Sequence, residues 1–465
     1  MLVSELPSDF LQRLSSFIDS CHSTYHCVAS VRSELLSSGY YELSLTASHW
    51  NLQAGNKYFV TSGQSTLFSF AIGSQFNPDS SKFSLVASHS DSPALKIKPK
   101  AVIKSSPANV TQLTTSVYGG PLTHTWFDRD LTIAGKIIFE KDQKISSKLV
   151  YIPRPVCLLP NLAIHLQKDK KDTISIDKDK EIHPIFSITP IENEEKKIKQ
   201  SNSSIKSSEN SNEPLLDLLS EISGVDAQSI IHFDLELRDC QSSSFVGANK
   251  EIFCGQGLDN KIAVFTSLEA IKTLETLDFS DIKGIIVFDH EEIGSCSDRG
   301  AASIFLEQVI QRVYLELNGH LPSFSAFLSR SIVISCDQGH VTHHAHLDRT
   351  DSQHGITIGK GPSIKLSPKI KYVTDHDVLA LFSSLSTDLS VPLQWSMGKE
   401  SVPGGSTVGP KLSAQSMTRV LDMGIGLFAM HSIRESCSVV DVWYLAKILA
   451  GFFSRNDLIQ IEHEW

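Results

Sequence analysis

Glu291 and Glu292 stand side by side at the end of the apolar run Gly284-Ile285-Ile286-Val287-Phe288, inside Phe-Asp-His-Glu-Glu-Ile-Gly at 288–294. Adjacent carboxylates near a buried strand end raise each other's pKa and resist desolvation, and a cation beside them removes that cost. One glutamate could bind a metal while its neighbour handles protons. Taken alone, the pair reads equally as a solvated loop.

Four further segments end a strand-like run with a metal-type ligand. In Ser84-Leu85-Val86-Ala87-Ser88-His89-Ser90-Asp91, His89 could ligate an ion and Asp91 could accept from its other ring nitrogen. In Gly255-Gln256-Gly257-Leu258-Asp259-Asn260, Asp259 is either a ligand or the N-cap of the amphipathic helix that follows. The run Ile332-Val333-Ile334-Ser335-Cys336 delivers Asp337, and His340, His343, His344 and His346 crowd the same loop. His431, flanked by Met430 and Ile433, reads alone as a core histidine. Each segment has its ordinary structural reading. As a set, two histidines, two aspartates and two glutamates at separate strand ends meet the needs of a two-metal site: one shared carboxylate, one His and one further acid per ion, and one carboxylate left as base. His and carboxylate donors without cysteine suit Zn²⁺, with Mn²⁺ and Co²⁺ as alternatives.

The elements that must position these groups fall into two regions. Residues 9–36 carry helical spacing, and Tyr58–Val60, Leu67–Phe70 and Phe83–Ala87 are strand-like. From about 95 to 190 short β-runs such as Lys136–Phe139 and Leu149–Ile152 dominate, and 191–213 is charged and Ser/Asn-rich, as a mobile insertion would be. After about 230 strands alternate with amphipathic helices: a helical stripe spans Ile262–Leu277, Gly284–Phe288 and Ile332–Ser335 read as buried parallel strands, and Ser438–Phe453 as a terminal helix. The expected fold is therefore α/β, a mixed, mostly parallel sheet flanked by helices over 1–95 and 226–465. A β-rich domain over 96–225 is inserted in it.

Bulk properties exclude several classes. A formal net charge of −10 lacks the basic footprint of a nucleic-acid binder. No run of about 18 apolar residues offers a membrane span, and Met1–Pro7 lacks the basic start and apolar core of a signal peptide. Eight cysteines in 465 residues make no disulfide framework; Cys157, Cys240, Cys254, Cys296 and Cys336 lie in or beside apolar segments, as buried free thiols do. A reducing, cytoplasmic setting is expected.

The ordered motifs ASHSDSPALKIKP (87–99), YGGPLTHTWFDRDL (118–131), LAIHLQ (162–167), GLDN (257–260), FDHEEIGS (288–295), SCDQGH (335–340), GKGPSIK (359–365), GGSTVGP (404–410) and AMHSIRE (429–435) closely resemble the aspartyl aminopeptidase family of metallopeptidases. The resemblance implies His89 and Asp337 on one ion, Glu292 and His431 on a second, and Asp259 bridging them. Glu291 is then the general base and Asp91 the residue that orients His89. It further implies that the inserted domain dimerises, that His165 reaches a neighbouring subunit's active site, and that dimers assemble into a dodecamer. The substrate it implies is a peptide whose first residue is Asp or Glu.

An acidic first side chain calls for a buried cation. Lys365 is the candidate, although a lysine in such a strand also reads as ordinary and exposed, and His340 is a second candidate for contacting substrate. Gln338 departs from the family pattern, where an apolar residue usually follows the ligand aspartate. Two other readings remain open here. One is a related two-metal hydrolase, an aminopeptidase or deacylase preferring a neutral or basic first residue. The other is a non-catalytic shell, which predicts a missing ligand, whereas all five ligands and the base are present.

Overall fold

A computed structural model describes residues 3–105, 108–167, 175–188, 212–402 and 404–455. Of the Ser/Asn-rich stretch 191–213, all but Asn212 and Glu213 lies outside the described residues. The chain clusters into two units, residues 1–92 with 243–465 and residues 93–242. The second boundary thus falls after 242 rather than near 226. The reason is strand pairing: Ile230–Asp239 runs antiparallel to Leu131–Lys141 along its length, which ties 230–242 to the β-rich unit.

In the larger unit, β1 (Tyr41–Leu43), β2 (Lys57–Ser62), β3 (Thr66–Ile72), β4 (Phe83–His89), β5 (Ile282–Phe288), β6 (Ile332–Cys336), β7 (Ser363–Leu366), β8 (Gln394–Met397) and β9 (Arg419–Gly424) form one sheet. Its order is β1-β2-β3-β5-β4-β6-β9-β7-β8. The central strands β5, β4, β6 and β9 are parallel, and β3 and β7 join them antiparallel at either side. Strands β4, β5 and β6 are buried at every position, as parallel strands covered on both faces must be, and so they read as unbroken apolar runs. Side chains alternate between two cores. Val86, Ile285, Val287 and Ile334 face one, and Leu85, Ile286, Phe288 and Val333 face the other.

Five helices supply the first core: α1 (Ser8–Ser20), α2 (Thr24–Ser37), α3 (Leu258–Lys272), α6 (His376–Leu389) and α8 (Val439–Ser454). The second core is supplied by α4 (Phe305–Glu316) and α5 (Phe324–Arg330), with Leu412 of α7 (Gly409–Gln415) packed in. Helix α3 stops at Lys272 rather than Leu277. A smaller sheet orders Ser244–Val246, Ile252–Gly255, Glu435–Ser438, Gly426–Phe428 and Gly339–His340. Its antiparallel pair 426–428 and 435–438 is joined by the turn that carries His431.

The β-rich unit is a six-stranded sheet in the order Lys144–Tyr151, Leu131–Lys141, Ile230–Asp239, Ala94–Ser105, Val110–Tyr118, Ile185–Ile188, antiparallel throughout. The helix Glu213–Ser223 buries Leu215, Leu218 and Leu219. His165 lies in this unit on the short turn Ile164–Leu166 and is exposed. The cysteines are free; Cys157 and Cys336 are buried, Cys240 and Cys254 partly so, but Cys296 is exposed. The apolar run before Cys296 ends at Phe288, and by residue 296 the chain has left the sheet. Among the described residues no helix is long and apolar enough to cross a membrane.

Candidate active site

Three neighbouring parallel strands deliver acids and a histidine to one edge, where open α/β sheets place their ligands. His89 is the last residue of β4, Asp337 follows β6, and Glu291 and Glu292 follow β5 on the turn Glu291–Ile293. Asp259 stands at the start of α3, but its backbone is not helical, at φ −80 and ψ 105, and the helix has no side-chain N-cap. The capping role is therefore ruled out, because the Asp259 carboxylate points elsewhere. Its Oδ1 lies 3.7 Å from His89 Nε2 and its Oδ2 lies 3.6 Å from His431 Nε2.

Around that carboxylate the donors close up. His89 Nε2 is 3.6 Å from Asp337 Oδ1 and 3.9 Å from Glu291 Oε2, and His431 Nε2 is 3.4 Å from Glu292 Oε2. These separations are long for hydrogen bonds. They suit donors sharing an ion: two atoms each about 2.1 Å from one tetrahedral centre lie about 3.4 Å apart. Ligand atoms of His89, Asp259 and Glu292 lie within 4.8 Å of one another. Asp259 Oδ1 and Glu292 Oε1 are buried and accept no hydrogen bond among the described residues, a costly state for carboxylate oxygens that a cation relieves. The donor set fits divalent metal.

The electrostatics agree. Burial pushes Glu291 up to about 8, with Asp337, Asp91 and Asp259 adding to it against the pull of His89. Burial, then Asp259, raises Glu292 well above the usual carboxylate range. Burial opposes a charge on His89, yet Asp259, Asp337 and Asp91 hold its imidazolium well above its ordinary pKa. Glu291 and Glu292 thus hold protons for want of other positive charge, while Asp259, against its burial, is kept below the usual carboxylate range by His431 and His89.

The backbone carrying these ligands is itself held by two buried carboxylates. Asp91 Oδ1 accepts from Glu291 N and Oδ2 from Glu292 N, both at 3.1 Å. The expected contact with His89 is also present: Nδ1 is 3.0 Å from the Asp91 carbonyl oxygen and 3.4 Å from Oδ1. Glu435 takes the matching part on the other side. Its Oε2 accepts from Asp259 N at 3.0 Å and its Oε1 from His431 N at 2.7 Å. Sequence reasoning missed Glu435 as a functional residue; the signal available was an acid four residues after His431 at the start of a strand. His431 is no core histidine: its side chain is 31% exposed, and it occupies the left-handed region at φ 66.

His89, Asp259, Glu291, Glu292, Asp337 and His431 line a cavity of about 440 Å³ together with His340, Lys365, Tyr372, Lys411 and Met430. His340 is exposed at its edge. Lys365 is buried, contrary to its reading as an ordinary exposed lysine: Nζ donates to the Gln338 carbonyl at 2.7 Å and lies 3.9 Å from Asp337 Oδ2. Burial works against its charge, but Asp337, Tyr372, Asp422 and Asp259 together outweigh it and hold the ammonium above its ordinary pKa. Gln338 is buried and fully engaged, donating from Nε2 to Asn260 Oδ1 at 3.1 Å and accepting from Ile425 N at 3.0 Å. Its polarity is thus absorbed within the fold. His343 stacks on His344 and lies tilted against His346; His343 is half-buried, the other two exposed, and none of the three lines the cavity.

Comparison with known proteins gives this arrangement a family. A family profile described as aminopeptidase I zinc metalloprotease (M18) matches residues 17–453. A probable M18 family aminopeptidase 2 of Pseudomonas paraeruginosa is 35% identical over 451 residues, 96% of this chain and 98% of that protein. The aspartyl aminopeptidase of Caenorhabditis elegans is 32% identical over 454 residues, 96% and 95% of the two chains. In a cryo-EM structure of an Ape4 and Nbr1 complex, one chain superposes with a TM-score of 0.89 at 31% identity, covering 96% of this chain and 85% of that one. The chain belongs to the M18 family of zinc-dependent aminopeptidases, hydrolases of peptide substrates.

Proposed function

We propose that this enzyme removes an acidic first residue, Asp or Glu, from peptides, with Glu291 as general base in a two-ion site. The observation that carries this reading is the split of the Asp259 carboxylate between His89 and His431. His89 and Asp337 would hold one ion, Glu292 and His431 the other, and Asp259 both, with Zn²⁺ the first choice for these donors. Ions bound there supply acidified water and a polarised scissile carbonyl. Glu291 borders the cavity and would take a proton from the attacking water, then return it to the departing amine. Asp91 holds the Glu291 backbone, so the base is fixed at its main chain as well as by packing.

Lys365 would pair with the acidic side chain of the first residue. Its burial against the cavity wall supports this, since an unpaired carboxylate in such a pocket is expensive. We further propose a cytoplasmic homo-oligomer in which the β-rich unit dimerises and His165 completes a neighbouring site. Support comes from the exposed apolar side chains Leu162, Ile164 and Leu166 around His165, a face that partner subunits commonly cover.

Glu291→Gln is expected to keep its metal while kcat falls by about 10²- to 10⁴-fold. Lys365→Met, assayed on a panel of aminoacyl substrates, is expected to lose the preference for Asp over Ala at the first position. Near-full activity of the Gln variant with metal retained rules out the base, and an unchanged panel profile rules out the cation.

A further inference from the structure

Gly339, His340, Lys365 and Tyr372 line the ligand cavity and also an adjoining cleft of about 110 Å³. The cleft carries Arg349, Lys365, Lys369, Lys371 and Lys399 along with Asp351 and Glu400; Arg349 Nε lies 3.5 Å from Asp348 Oδ2 and Lys365 Nζ 3.9 Å from Asp337 Oδ2. Both cleft acids are already engaged. Glu400 pairs with Lys369, and Asp351 Oδ1 accepts from the backbone N–H groups of Gln353 and His354 and meets the His354 ring at 3.0 Å. Lys371 and Lys399 are held differently. Lys371 Nζ donates to the Gly404 carbonyl at 2.8 Å and Lys399 Nζ to the Asp348 carbonyl at 2.7 Å. A carbonyl aims an ammonium without cancelling its charge, so the cleft presents oriented cations in search of an anion.

Size and position narrow the ligand. The cleft has room for a carboxylate-bearing group. It shares a wall with the cavity at Lys365, and successive residues of an extended peptide advance about 3.4 Å. A residue next to the reacting one can therefore place a group in it. We propose that this cleft is a second anion subsite, which takes the carboxylate of the residue following the scissile bond. That carboxylate is either an acidic side chain or, in a dipeptide, the chain terminus. The proposal rests on the aminopeptidase reading of the site and is independent of which first residue is preferred.

The test compares kcat/KM on Asp-Ala-amide, Asp-Ala and Asp-Glu-amide, and on the same three sequences beginning with Ala. The carboxylate-bearing peptides are expected to be favoured over the amide on the order of fivefold, chiefly through KM, in both series. A gain confined to Asp-Glu-amide assigns the side chain, and one confined to the free dipeptide assigns the terminus. In Lys371→Met/Lys399→Met the ratio is expected to collapse to about one. Because the ratio is also read in the Ala series, failure of the acidic first-residue preference appears as a change between series and not within them. Raising the salt concentration on the unaltered enzyme should shrink the same ratio by screening, a readout that does not depend on the variant folding. A ratio of one in the unaltered enzyme, or a ratio that neither salt nor the double substitution moves, overturns the proposal.

Discussion

His89 and Asp337 reach the cavity from the ends of neighbouring parallel strands, β4 and β6, whereas Glu292 and His431 reach it from turns. In the first pair the sheet does the positioning: Ala87 and Ser335 are register partners two residues before His89 and Asp337, and both side chains are buried. The second pair has no such ladder. The Glu291–Ile293 turn is entered through His290 at φ 63, and His431 itself sits at φ 66; each such non-glycine residue costs on the order of 1 kcal/mol or more. What offsets that strain is a buried carboxylate for each turn, Asp91 under Glu291 and Glu292, and Glu435 under His431 and Asp259. A hydrogen bond contributes on the order of 1 kcal/mol, so these four bonds are of the right size to hold both turns. A strand end inherits its geometry from the whole sheet, while a turn depends on one acid.

The contrast can be broken first where the two halves meet. Asp259 faces both His89 and His431, so Asp259→Asn is expected to strip both ions and lower kcat/KM by at least about 10³-fold. Metal analysis on the purified variant checks this. A variant that keeps a full complement of metal would show that Asp259 is not shared.

The next effect separates the halves. Glu435→Gln leaves every proposed ligand in place and weakens the tethers on His431 and on the shared Asp259. Loss of such a supporting hydrogen bond typically lowers metal affinity 10- to 100-fold. Under competition with a chelator, the variant is expected to release the ion on the His431 side first and to hold the second, which loses only the Asp259 tether, more tightly than the first. If both ions leave together with equally weakened affinity, the strand half is no more self-supporting than the turn half.

The same division governs what could be read from the chain. His89, Asp337 and the Glu291–Glu292 pair each follow an apolar run, and a buried parallel strand announces its own end when that run stops. His431 carries no such marker. Between Met430 and Ile433 it looks like core, and only the turn geometry and the Glu435 tether bring it to the cavity, both of which depend on contacts distant in sequence. Asp259 is similar: an acid ahead of an amphipathic helix suits an N-cap, and only the non-helical backbone there turns the carboxylate toward the two histidines. Lys365 lies on a short strand near the sheet's edge, yet it is covered because the loop after β6 folds over it and Gln338 offers its carbonyl. The end of the β-rich unit was misplaced for the same reason. Ile230–Asp239 is legible as a strand, but its partner, Leu131–Lys141, lies about a hundred residues earlier and nothing local names it.

The smallest effect probes the strand half from beneath, through stability and not metal. Asp422 on β9 is fully buried, accepting from Val373 N at 2.6 Å and from the Thr407 hydroxyl at 2.7 Å. Burial, opposed by Ser335, Lys365 and Thr407, pushes its pKa up from 3.8 to about 6. The folded state therefore binds a proton over a window, from about pH 4 to 6, in which the unfolded chain has already released it. A raised carboxylate pKa means that this group's stabilising contribution is present in full below the lower value and is lost as pH rises through the upper one. At about 1.4 kcal/mol per pH unit, the swing is at most about 3 kcal/mol. Asp422→Asn keeps the shape, accepts from Val373 through its amide oxygen, and donates to a Thr407 hydroxyl that can turn to accept, but it cannot titrate. Relative to the unaltered protein, the Asn variant should gain thermal stability steadily from pH 4 to 7, by a few degrees at about 2 °C per kcal/mol for a unit of this size. Paired melting curves at several pH values measure this directly. Parallel curves with no pH-dependent gap would mean that Asp422 stays ionised in the folded protein, held by the hydroxyls and Lys365, and that the strand half carries a buried charge.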